Sequence, residues 1–158
     1  PYYHPILPLL VNSDIALRPS PDLSLPTPAF VAPEDAAAQV QRAVHAYNQI
    51  FGQPTRGLWP SEGAVAPEVL PILGSAGLHW FATDEEILAR SLGITFERDN
   101  QEQVSHPERL YRAYRLPGEN GDLAAIFRDR RLSDNIGFVY MHYPPHQAAE
   151  DLVVRLRN

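Results

Sequence analysis

Apolar residues recur at helical spacing from Ala36 to Phe51, with Ala36, Val40, Ala43, Val44, Tyr47, Ile50 and Phe51 on one stripe. Pro33 suits a first helical position, Glu34 and Asp35 suit the positive end of the dipole, and Gly52 is a stop. The pattern predicts a helix whose stripe is core. Gly57 to Trp59 reads as the end of a buried strand, broken by Pro60 and Gly63. A helix comes next, from Pro67 to about Ser75, with Val69, Leu70, Leu73 and Ala76 apolar and Gly77 closing it. Pro71 inside it means a kink or a late start. Leu78 to Thr83 reads as a short, fully buried strand, and Asp84 caps a helix running to Gly93 with Glu85 and Glu86 in its first turn. Strand, helix, strand, helix at this pitch predicts an α/β fold with a parallel sheet or barrel.

Outside that block the pattern is weaker. Eight of the 16 prolines fall between Pro1 and Pro33, which predicts an irregular aromatic-rich arm, not a helix. Tyr2, Tyr3 and Leu9 would pack that arm onto a surface, and Arg18 to Thr27 reads as a connecting loop. Phe96 to Pro107 is polar and reads as a loop, while Leu110 to Leu116 and Leu123 to Phe127 read as strands. Ser133 and Asp134 look like a helix start, and Pro145 to Asn158 reads as an amphipathic helix with Ala148, Leu152, Val153 and Leu156. The segments divide as a 1–33 arm, a 34–95 block of helix and βαβα core, and a 96–158 run of strands and C-terminal helices.

Composition narrows the classes. A chain of 158 residues with 44% hydrophobic content can bury one core, and one domain is expected. The 13 basic residues are all arginine, against 19 acidic ones, for a formal charge of −6. Scattered arginines in an acidic chain argue against nucleic acid and against an anionic membrane surface. The absence of cysteine excludes disulfides and thiolate chemistry. No apolar run approaches the ~20 residues of a membrane span. The compartment stays open, with the cytoplasm favoured.

Candidate chemistry centres on Gly57-Leu58-Trp59-Pro60-Ser61-Glu62-Gly63-Ala64-Val65. If Gly57 to Trp59 ends a strand, Glu62 lies at that strand's carboxyl end, where ligands collect in α/β folds. An indole offers an apolar face to a sugar ring, and a nearby carboxylate can attack or stabilise an anomeric centre. The plainer reading is a solvated Glu beside a core Trp. Arg56, six residues earlier in the chain, is a candidate to keep Glu62 ionised. His4 is either part of a packed loop or a group facing a substrate cleft. Asp84 at the end of its strand can cap a helix or touch substrate. Asp129 follows a strand and lines a cleft or, with Arg128 and Asp134, holds loops through charge-assisted bonds. His142 and His146 share zinc-helix spacing, but Pro144 and Pro145 forbid the helix that would present both rings. No metal site or cofactor is expected.

Trp59-Pro60-Ser61-Glu62-Gly63-Ala64-Val65 resembles the nucleophile segment of family 57 of the glycoside hydrolases, the amylase, amylopullulanase and glucanotransferase group. Tyr2-Tyr3-His4-Pro5-Ile6-Leu7-Pro8-Leu9-Leu10 resembles the segment after an early barrel strand there. Pro33-Glu34-Asp35-Ala36, with the Tyr47 to Gly52 helix end, resembles the stretch just before the nucleophile segment. Gly77 to Glu85 and Ile126 to Tyr140 are similar to the same family, so the likeness runs from Pro1 to about Asp151.

The resemblance implies part of a seven-stranded (β/α) barrel, an incomplete one, because such barrels take about 250 residues or more. It implies a retaining reaction on α-glucan or oligosaccharide with Glu62 as the nucleophile and Trp59, His4, Asp84 and Asp129 as substrate contacts. Gly118-Glu119-Asn120 imitates the family's acid-bearing run, but Pro117 stands where the acid should be, and turn chemistry explains it. The acid is therefore expected beyond Asn158, and a first histidine motif before Pro1. The remainder of a parent chain would complete the barrel, and the segment alone would not turn over. A metal-dependent polysaccharide deacetylase barrel and a non-catalytic carbohydrate-binding relative are the alternatives.

Overall fold

The computed structural model of the chain describes residues 2–100, 102–118 and 121–157. Two compact units emerge, each built from two stretches: Pro1–Thr83 with Ala113–Ile126, and Asp84–Arg112 with Phe127–Asn158.

The first unit opens with helix α1 (Leu7–Val11), where an irregular arm was expected. Pro8 sits in its first turn, where a missing amide costs nothing, so the proline density does not prevent a helix there. Leu7 is the anchor of this arm and is fully buried, whereas Tyr3 and Leu9 are exposed. A 3-10 turn, Ser13–Leu17, comes after it. The long helix α2 (Pro33–Phe51) ends on Gly52 in the left-handed conformation, as its boundaries predict. Its stripe is core only in the first half. Ala36 and Val40 are buried, while Tyr47, Ile50 and Phe51 are exposed. Periodicity shows which residues share a face; it does not show how far along the helix that face is covered.

Strand β1 (Gly57–Leu58) leads into a 3-10 turn at Ser61–Gly63. A second such turn, Pro67–Val69, precedes α3 (Leu70–Ser75), with Pro71 in the first turn of that helix. The proline delays the start and produces no kink. Strand β2 (Trp80–Asp84) begins two residues later than expected, and its first residue, Trp80, is 41% exposed, so the strand is not buried throughout. The sheet order is β1-β2-β4-β3, with β3 (Tyr114–Leu116) and β4 (Leu123–Arg128) completing it. β1 and β2 run parallel with Gly57 opposite Trp80 and Leu58 opposite Phe81. β3 and β4 run antiparallel, so the sheet is mixed. Glu119 and Asn120, between these two strands, lie outside the described residues. Leu7, Val40, Val69, Leu73, Phe81 and Leu123 form the centre of the core, each contributing about 1.5–3 kcal/mol by leaving water.

The second unit carries α4 (Glu85–Leu92), capped by Asp84 through Glu86 N–H and closed by left-handed Gly93. Helix α5 (Pro107–Leu110) takes the first residue of the strand expected from Leu110, with Pro107 starting its turn and Leu110 buried at its end, and the strand itself begins only at Tyr114. Helix α6 (Arg130–Asp134) starts on Asp129, which accepts from Leu132 N–H, so Ser133 and Asp134 end a helix instead of starting one. A π turn (Asn135–Val139) and a 3-10 turn (Tyr140–His142) come next. Helix α7 (Pro145–Arg157) closes the described chain, with Val153 and Leu156 exposed. Among the described residues no helix is long and apolar enough to cross a membrane.

Candidate active site

The turn after β1 is fixed from below. Pro60 and Ser61 are buried, Gly63 N–H donates to Pro60 O at 2.9 Å, and Ala64 N–H donates to Ser61 O at 3.0 Å. The buried Thr83 hydroxyl donates to Gly63 O at 2.6 Å, tying the turn to β2. Within this frame Glu62 adopts φ 56° and ψ 18°, the left-handed region that costs a non-glycine residue about 1–2 kcal/mol. Its side chain is thereby turned out of the packed layer and is 74% exposed.

One residue meets it. His4 Nε2 lies 2.9 Å from Glu62 Oε1, across 58 positions of sequence. Tyr3 and His4 are themselves left-handed, at φ 57° and 56°. Both residues of this exposed contact thus stand on left-handed backbone, and strain of this kind persists only where the surroundings over-determine it. Arg56 makes no ion pair among the described residues, and the described partner of Glu62 is His4.

His4 and Trp59 both line a cleft of about 520 Å³, together with Tyr2, Tyr47, Phe51 and Leu58. Trp59 is 46% exposed. The exposed half of the α2 stripe forms one wall of this cleft. Glu62 is not part of the lining and reaches it through His4. Ser61 Oγ, next to Glu62 in sequence, is buried with no hydrogen-bond partner among the described residues.

Asp84 and Asp129 stand in the second unit, each at the carboxyl end of its strand. Asp84 Oδ1 accepts from Glu86 N–H at 3.0 Å, and Oδ2 accepts from Arg128 Nε at 2.7 Å. Asp129 is 8% exposed. Oδ1 accepts from Leu132 N–H at 2.9 Å and faces Arg98 at 3.1 Å, while Oδ2 accepts from the Tyr111 hydroxyl at 2.6 Å. Burial pushes the Asp129 carboxyl up, but the Tyr111, Leu132 and Arg98 donors outweigh it and hold it below the usual carboxylate range. Burial first, and then the bond to Asp129, pushes the Tyr111 phenol well above its ordinary value, so it stays a donor. Arg98 also binds Glu85 at 2.7 Å.

Arg98, Tyr111 and Glu85 were not singled out by sequence reasoning. An arginine alone in a polar run, and an acidic pair in a first turn, were the signals available. Among the described residues no three His, Cys, Asp or Glu side chains gather as a metal site.

A family model described as glycosyl hydrolase family 57 matches residues 1–158. Among solved structures, a 4-alpha-glucanotransferase from Thermococcus litoralis is similar at 20% identity with a TM-score of 0.50. The match covers 75% of this chain and 16% of that one. At that identity the likeness speaks to the fold, a mixed α/β segment. No curated protein matches.

Proposed function

The chain belongs to glycosyl hydrolase family 57, and from that membership we propose that it supplies the nucleophile of a retaining α-glucan hydrolase or transferase. The observation that carries the reading is Glu62 itself: exposed, on a left-handed backbone, after a strand's carboxyl end, and bonded to His4 at the rim of the Trp59 cleft. As a carboxylate, Glu62 attacks the anomeric carbon and forms a glycosyl ester. A carboxylic acid about 5–5.5 Å away protonates the leaving oxygen and then activates water or an acceptor sugar. That acid is proposed to come from outside this segment, with further chain completing a seven-stranded barrel.

His4 holds one oxygen of Glu62 and leaves the other free to attack. Trp59 borders the sugar. Asp84 and Asp129 act on substrate indirectly, as carboxylates that fix the loops leaving β2 and β4. The segment spans 16% of the structurally similar chain, and turnover by the segment alone is not expected.

The test is Glu62→Gln in the active enzyme that carries this segment. The expected loss in kcat is about a thousandfold or more, with KM little changed. Retention of about a tenth of the rate, a barrier change near 1.4 kcal/mol, would remove Glu62 from the nucleophile role.

A further inference from the structure

A second cavity, of about 440 Å³, lies at the amino end of β1 and β2 in the first unit, beside the residue pair Gly57 and Trp80. It shares Tyr47, Thr55 and Gly57 with the cleft beside Trp59, and Gln53, Pro54, Arg56 and Trp80 line it alone. Gly57 lies directly beneath the indole of Trp80: a Cβ placed on Gly57 would come within 2.1 Å of the ring. One face of the indole therefore rests on bare backbone, and the 41% exposure of Trp80 belongs to what remains of the ring. Tyr47, 43% exposed, is a second aromatic wall. Gln53 and Arg56 supply an amide and a guanidinium, and Arg56 is exposed and makes no ion pair among the described residues. The loop carrying them is held in place, because Thr55 N–H donates to Asn48 Oδ1 at 3.1 Å and the Thr55 hydroxyl donates to Gly57 O at 3.1 Å.

We propose that this cavity is a second saccharide-binding site, in which Trp80 is the stacking platform and Gln53 and Arg56 bond the hydroxyls of a neutral glucan chain. The chemistry favours a sugar over other ligands. A pyranose presents an apolar face to an indole and a ring of hydroxyls to donors that stand around it. The guanidinium donates to hydroxyl oxygens, and the amide both donates and accepts. A glycine that brings an indole flat against backbone fixes the platform before ligand arrives, which lowers the ordering cost of binding. Glu62 is not part of its lining, so the site holds chain without acting on it. The glucan as ligand class rests on the family reading; the cavity does not.

The test uses the active enzyme that carries this segment, with Trp59→Phe and Glu62→Gln as background, so that the Trp59 cleft is weakened and the ligand is not consumed. Isothermal titration of that background with maltoheptaose is expected to show saturable binding. Adding Arg56→Ala and Gln53→Ala, both on an ordered surface loop, is expected to weaken binding roughly tenfold. Trp80→Ala in the same background is expected to show this binding lost. No saturable binding in that background, or equal affinity after loss of Trp80 or of Arg56 and Gln53, overturns the proposal. Because Glu62→Gln carries the kinetic test and Trp80 the binding test, failure of the nucleophile reading leaves this result intact, and the reverse holds.

Discussion

Glu62 and Asp129 are both carboxylates placed just after a strand, and their surroundings are opposite. Asp129 is buried and saturated: Leu132 N–H, the Tyr111 hydroxyl and Arg98 occupy both its oxygens. Glu62 is exposed, keeps one partner among the described residues, His4, and stands on a backbone conformation that its residue type disfavours. A buried charge is tolerable only when donors replace the water it has lost. Once they do, it has little freedom left to react. A carboxylate meant to attack needs the reverse, an accessible oxygen and a backbone that holds it out. Distance to a partner does not separate the two cases. Burial and the number of donors do.

The largest expected effect breaks the buried side of this comparison. Arg98→Ala leaves Glu85 and Asp129 uncompensated and should cost about 3–5 kcal/mol, read as a lower urea midpoint for the chain. Glu62→Gln should change that midpoint by less than about 0.5 kcal/mol, because the site is exposed. Equal losses at the two sites would contradict the distinction.

Acid sharpens it next. The Asp129 carboxyl is depressed in the folded state, so its stabilisation is present above the ordinary aspartate value near ~3.9 and is lost as pH falls through the folded value. Stability should therefore fall on acidification below about pH 4. Asp129→Asn, which keeps the helix cap but not the charge, should flatten that fall.

Gly57→Ala comes third. The new Cβ meets the Trp80 ring, and the displaced indole should cost about 1–3 kcal/mol and shift Trp80 emission. The smallest effect is at Ser61→Ala. Its buried hydroxyl lacks a partner, so removal should be neutral or stabilising by up to about 1 kcal/mol in thermal unfolding.

How much of this was legible in the residues depends on the range of each interaction. Pro33 to Gly52 could be bounded because caps and periodicity are local. Asp84 as a helix cap was legible for the same reason. The helix at Leu7 was hidden by prolines that suit a first turn as well as a loop. The helix start read at Ser133 falls four residues late, because Asp129, read only as a loop or cleft residue, is the cap. Trp80 looked like core because composition cannot say which face of a strand stays open. At the candidate site, Glu62 and Trp59 could be picked out by type and position. The contact with His4 spans 58 residues and was reachable only through the family likeness of both stretches. The left-handed backbone at Glu62 has no signal in its own residue type. The Arg98, Tyr111 and Asp129 cluster was missed because each member looks like an ordinary surface residue until burial joins them.

The most direct test is covalent. A fluorinated α-glucosyl fluoride, whose leaving group needs no acid catalyst, is incubated with the active enzyme and the digest is read by mass spectrometry. The expected result is one glycosyl group on the peptide holding Glu62, absent from Glu62→Gln. A label on any other carboxylate, or an active enzyme that never labels here, would contradict the assignment.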